Sequence, residues 1–132
     1  MKFLTLSGQT RRVSNIKKHL ISWEAPSRSK FQFSVKQFLK QYWSHHIVFE
    51  EFPIVGTKMS LDFFNANKKI AIEVQGKQHI KYTPFFHGQY KNNYLSQLDR
   101  DRQKTLFCDK NNLLLIEIYP EDDLKKVLIG QI

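Results

Sequence analysis

Apolar residues recur along this chain at two different periods, and the periods divide it into helices and strands. In SRSKFQFSVKQFLKQYW, residues 27–43, Phe31, Val35, Phe38, Leu39 and Tyr42 fall on one helical stripe, and Ser29 is placed to cap the first turn. YLSQLDRDRQKTLFCDKNN, residues 94–112, carries Leu95, Leu98 and Leu106 at helical steps, with Asn111 and Asn112 as its stop. The same spacing predicts that Asp99 and Arg102 share the leucine stripe and face a sheet. Four short runs read as strands: HHIVFEEFPIV, broken at Pro53, then MSLDFF, KKIAIEVQG and LLLIEIY. The turn-forming NANK joins the second to the third, and Gly76 ends the third. KQHIKYTPFFHGQYKNN, residues 77–93, reads as a long polar and aromatic loop.

The two ends of the chain are expected to be helical. Val13, Ile16, Leu20 and Trp23 recur at helical spacing, with Ser14 as a cap and Pro26 as the stop, and Pro120 stands where a final helix over residues 120–132 would begin. The organisation expected is a single domain: a basic arm or helix over residues 1–28, a core over 29–119 and the closing helix. Its fold class is α/β, of the α+β kind, with a central mixed sheet flanked by helices.

Two acids sit against this pattern. Asp62 lies between Leu61 and Phe63, and Glu73 between Ile72 and Val74, inside two of the most apolar strands. A hairpin closing symmetrically about ANKK pairs Phe63 with Ile72 and sets Asp62 opposite Glu73, with Cβ atoms about 4.5–5.5 Å apart on one face. Alternation sends Ile70, Ile72 and Val74 to one face and Ala71, Glu73 and Gln75 to the other. Two bare carboxylates at that separation repel by roughly 3 kcal/mol at an effective dielectric near 20. Two readings offset this cost: Lys58, Lys68 or Lys69 neutralises the pair at a surface, or a divalent cation bridges it. Mg²⁺, with Mn²⁺ as a substitute, is commonly held by one or two carboxylates together with substrate phosphate.

Charge adds a partner to the picture. The 132 residues hold 21 Lys and Arg against 12 Asp and Glu, a formal net charge of +9, which suits a polyanion such as DNA. Arg11 and Arg12, in the most basic stretch, and Lys77, Lys81 and Lys91 are the candidate backbone contacts, while Tyr82, Phe85, Phe86 and Tyr90 read either as base wedges or as core. No apolar run approaches the roughly 20 residues of a membrane span. MKFLTLSGQT is too short and polar for a signal peptide, and one cysteine, Cys108, excludes an internal disulfide and a Cys-based zinc site. A cytoplasmic, DNA-associated protein is therefore expected, and the Lys-, Asn-, Phe- and Ile-rich composition fits an AT-rich genome such as a phage's.

In order, these residues resemble a known family. Asp62 followed by Glu73 and Gln75 in EVQG is similar to the PD-(D/E)xK nuclease core, with Gln75 where lysine is usual and Leu61 where the motif has proline. The longer set LDFF, AIEVQGKQHI and LDRDRQKTLF resembles the branch of the very-short-patch-repair endonuclease and its homing-endonuclease relatives. Asp62, Gly76, His79 and Asp99 match that branch's site, and Arg102 and Leu106 fit the DxxRxxxL spacing of its helix. The resemblance covers about residues 29–119. It implies a restriction-endonuclease-like core and Mg²⁺-dependent hydrolysis of DNA. Asp62, Glu73 and the Val74 carbonyl would hold the metal, with His79 as general base and Gln75 positioning water or phosphate. Asp99 would orient His79 or complete the metal shell, and Arg102 would hold a phosphate. Gln32 stands where the branch often has a glutamate, and Glu24 and Glu50 are the alternative acids near it. A non-catalytic nucleic-acid-binding module and a dimeric junction resolvase are the competing functions on the same core.

Overall fold

A computed structural model describes residues 1–76 and 88–132, together with the backbone but not the side chains of residues 88–91. Its centre is a four-stranded mixed sheet of β3 (Val48–Pro53), β4 (Ser60–Asn65), β5 (Ile70–Val74) and β6 (Leu114–Ile118), hydrogen-bonded in that order. The first three strands form an antiparallel meander, and β6 runs parallel to β5 after the crossover through α2 (Gly88–Lys110). The α+β mixed sheet expected from the sequence is thus the fold observed.

The β4–β5 hairpin closes where the sequence placed it. Asn65 pairs with Ile70 and Phe63 with Ile72. Asn65 Oδ1 accepts the N–H of Lys68, and Lys69 takes φ 56°, which together turn the chain in four residues. Alternation then divides two cores. On one side of the sheet, α1 (Lys30–Trp43) lays Val35, Leu39 and Trp43 against Val48, Phe63, Ile70, Ile72 and Ile118. On the other, Phe107 and Cys108 of α2 pack with Phe49, Phe52, Leu61, Phe64 and Ala71. Glu51 breaks the alternation in β3. Its φ of 55° lies in the left-handed region, so Phe49 and Phe52 both enter the α2-side core while Glu50 and Glu51 turn their carboxylates toward α1.

Both ends of the chain differ from expectation. Residues 1–28 form a hairpin of β1 (Lys2–Leu4) and β2 (Thr10–Arg12) and a short 3₁₀ helix, Ile16–His19, instead of a helix over 13–23. Packing overrides the helical spacing here: Phe3 and Val13 join the α2-side core, and Phe3 lies against the rings of Phe52, Phe64 and Phe107. Gly56 (φ 84°) lets the β3–β4 turn approach this hairpin, since a Cβ there would come 3.2 Å from Thr5 Cγ2. Asn111 ties the same hairpin to α2, accepting from Leu4 N–H and donating to Leu4 O. At the other end the closing helix is only Leu124–Val127, capped by Asp123. Asp122 accepts the N–H of Tyr119 at 2.7 Å and turns Pro120–Asp122 into a loop, so a helix cannot begin at Pro120.

Candidate active site

The hairpin's last β4–β5 rung is Phe63↔Ile72, and one step further the two acids replace the ladder. Val74 N–H donates to Asp62 Oδ2 at 2.7 Å, and Asp62 N–H donates to Glu73 Oε2 at 3.1 Å. Each carboxylate thus occupies a hydrogen-bonding position of the opposite backbone, and the two side chains are locked together at the open end of the hairpin. Both are buried, at 8% and 4% relative exposure, although each would be better solvated at the surface. Glu73 Oε1 is ion-paired with the ammonium of Lys104, on α2. Burial pushes the Glu73 carboxyl up to about 8, and the Asp62 carboxylate adds to the rise by repulsion and by hydrogen bonding. Lys104 opposes it. A buried carboxyl raised in this way beside a second acid offers oxygens that a hard cation could take in place of the proton held by Glu73.

In register the pair has acidic neighbours on both flanking strands, although Glu51 turns its carboxylate toward α1. The pairs Glu50↔Phe63 and Phe52↔Leu61 bracket Glu51 opposite Asp62, and Glu73 is in register with Glu117 on β6. The outer members have other partners. Glu51 accepts from Gln32, Arg28 and Ser60, and Glu117 accepts from Tyr119 Oη at 3.0 Å. Among the described residues no group of three or more His, Cys, Asp or Glu is arranged to hold a metal.

Gln75 follows directly, half-buried, with its N–H bonded to Ile118 O at 2.7 Å. Gln32 is buried as its helical phase required, but its amide is committed to Glu50 Oε2 and Glu51 Oε1, each at 3.0 Å, one strand away from the carboxylate pair. Glu50 is held by the fully buried Lys36 at 2.7 Å, and the exposed Glu24 pairs with Lys40, so neither acid joins Asp62 and Glu73. Arg11 and Arg12 are exposed on β2.

Asp99 and Arg102 are a correction. They pair with each other at 3.0 Å on the solvent side of α2, with side chains 50% and 81% exposed, and Asp99 also accepts from Gln103. Leu95, Leu98 and Leu106 are exposed beside them. The phase of α2 is fixed by Phe107, Cys108 and Asn111, whose contacts with the core and with β1 turn the leucine stripe outward. That same phase brings Lys104, unremarked in the sequence reading, inward to Glu73. Its signal was the spacing from Lys104 to Cys108, one helical turn, overshadowed by three leucines. His79, Lys77, Lys81, Tyr82, Phe85 and Phe86, with the side chains of Tyr90 and Lys91, lie outside the described residues.

Comparison with known proteins adds viral relatives. No family model and no solved structure matches the chain. It is 36% identical over 66 residues to the uncharacterized protein 033L of invertebrate iridescent virus 3, covering 50% of this chain and 34% of the relative. It is 35% identical over 77 residues to the uncharacterized protein 094L of frog virus 3 (isolate Goorha), covering 58% and 50%. The uncharacterized protein 307L of invertebrate iridescent virus 6 is 32% identical over 75 residues, covering 56% and 38%. The aligned part of this chain spans between a third and a half of the length of these relatives. No helix among the described residues is long and apolar enough to cross a membrane.

Proposed function

We propose that this chain is a metal-dependent endonuclease that hydrolyses phosphodiester bonds in DNA, on a core of the restriction-endonuclease kind. The observation that carries the reading is the interlocked Asp62–Glu73 pair, buried at the open end of a hairpin with Lys104 as its paired cation. Burying two adjacent acids costs desolvation that the backbone N–H groups and Lys104 offset only in part, and acids perturbed in this way mark a candidate ligand site. Mg²⁺ or Mn²⁺ bound there supplies positive charge that makes a water more acidic and offsets the charge developing on phosphate. Asp62 and Glu73 hold the ion, and the resemblance to PD-(D/E)xK enzymes adds the Val74 carbonyl. His79 takes the water's proton, as an imidazole can near neutral pH, and Gln75 orients the water or a phosphate oxygen. Asp99, paired with Arg102 on the solvent side of α2, is not a member of the metal shell in this reading. Arg11, Arg12, Lys77, Lys81 and Arg102 meet the DNA backbone, whose phosphates reward each contact by counterion release.

A plasmid-nicking assay in Mg²⁺ and in Mn²⁺ tests this. The parent protein is expected to relax supercoiled DNA. Asp62→Ala and Glu73→Ala should each lower the rate by at least about 100-fold while retaining DNA binding. One observation favours a second reading, a nucleic-acid-binding module on a decayed nuclease fold: the Gln32 amide is neutral and already engaged by Glu50 and Glu51. Tight DNA binding with no cleavage in either metal would select it over the enzyme.

A further inference from the structure

In the resembled nuclease core a lysine follows the second acid by two positions, and this chain has the neutral Gln75 there. An amide can donate a hydrogen bond but cannot offset charge on a phosphate. The structure provides an ammonium from elsewhere. Lys104 projects from the sheet-facing side of α2, one turn before Cys108, and its Nζ rests on Glu73 Oε1. Its side chain is only 20% exposed, in contrast to Arg102 on the same helix. Among the described residues it is the cation paired with either acid of the site. The neighbouring lysines that sequence proximity would nominate, Lys68 and Lys69, sit at the closed end of the hairpin, beyond Ile70.

We infer that Lys104, carried on α2, takes the place of the strand lysine and contacts the scissile phosphate beside Asp62 and Glu73. The inference rests on the nuclease reading above. A lysine stem is long and flexible, so the ammonium can remain near Glu73 when a cation arrives and turn to a phosphate oxygen. A counter-ion that only neutralises Glu73 would make no such contact.

Four proteins separate these roles: the parent, Lys104→Met, Gln75→Lys and the double variant. Binding of a short duplex is measured in Ca²⁺ across salt concentrations, and single-turnover cleavage in Mg²⁺. Thermal melts confirm that each variant is folded. Lys104→Met should lower the slope of log affinity against log salt by about one, the signature of one lost phosphate contact. Its cleavage rate should fall by about 100-fold, and the double variant should recover at least about a tenth of the parent rate. A parent that cleaves, with Lys104→Met matching it in rate and salt slope, would overturn the inference and leave the nuclease reading standing. So would a double variant as slow as Lys104→Met. A parent that never cleaves would overturn both.

Discussion

Glu73 links the stability of this protein to pH through a single carboxyl. Its ordinary value of 4.5 applies to the unfolded chain, and burial beside Asp62 raises it to about 8 in the fold. Between those values the folded chain keeps a proton that the unfolded chain has released. The stabilisation is therefore complete below the unfolded value, declines as pH rises through the window and is gone above the folded value. Thermal melts of the metal-free protein should show the midpoint falling from pH 5 to pH 8.5, and Glu73→Gln, which cannot ionise, should flatten that fall. A midpoint that rises across the same range would contradict the arrangement of the pair. Cys108, pushed up to about 12 by burial and then by the Glu73 charge, stays a thiol throughout and does not compete for the effect.

At the scale of elements, α1 and α2 both follow from their periodicity, but only α2 turns its expected stripe to solvent. α1 packs Phe31, Val35, Phe38 and Leu39 on its core as the stripe predicts, leaves Tyr42 exposed, and also buries Gln32, Lys36 and Trp43. Hydropathy could not nominate a fully buried lysine. Lys36 is inside because Glu50, Ser22 O and Ala25 O accept all three of its protons, at 2.7, 3.0 and 2.8 Å, and the loop before α1 closes over it. Removing one partner of such a pair leaves a buried charge, so Lys36→Met should cost about 3–5 kcal/mol in denaturant unfolding. A loss below about 1 kcal/mol would show that Glu50 finds other solvation. The β4–β5 hairpin, by contrast, was legible to the residue. Its register depends on local turn chemistry and strict alternation, both written in adjacent positions, while helix phase depends on which distant residues supply the core. The hairpin at residues 1–12 escapes a sequence reading for that reason: Phe3 packs on Phe107, and Leu4 bonds to Asn111, 107 positions along the chain.

Across the whole molecule, α2 exposes Leu95, Leu98 and Leu106 beside the Asp99–Arg102 pair. Two copies meeting about a two-fold axis between Arg100 and Asp101 would set Leu95 against Leu106 and Asp99 against Arg102, the pairing a dimeric resolvase would use. Light scattering is expected to show dimers that Leu98→Lys together with Leu106→Lys returns to monomers, and a parent that is monomeric at every concentration would refute the pairing. A dimer would also set two carboxylate sites for two strands of a duplex, which cleavage of linear duplexes and four-way junctions would register as paired cuts. The positive excess of nine charges favours any nucleic acid, so the specificity of such cuts belongs to surfaces other than the Asp62–Glu73 pair.

Mn²⁺ binding followed by electron paramagnetic resonance measures directly whether the two buried acids seat a hard cation. With a short DNA duplex present at pH 8, the parent protein is predicted to take up one ion per chain, and Asp62→Asn combined with Glu73→Gln to take up none. Equal uptake by the parent and the double variant, or no uptake by either, would contradict the account.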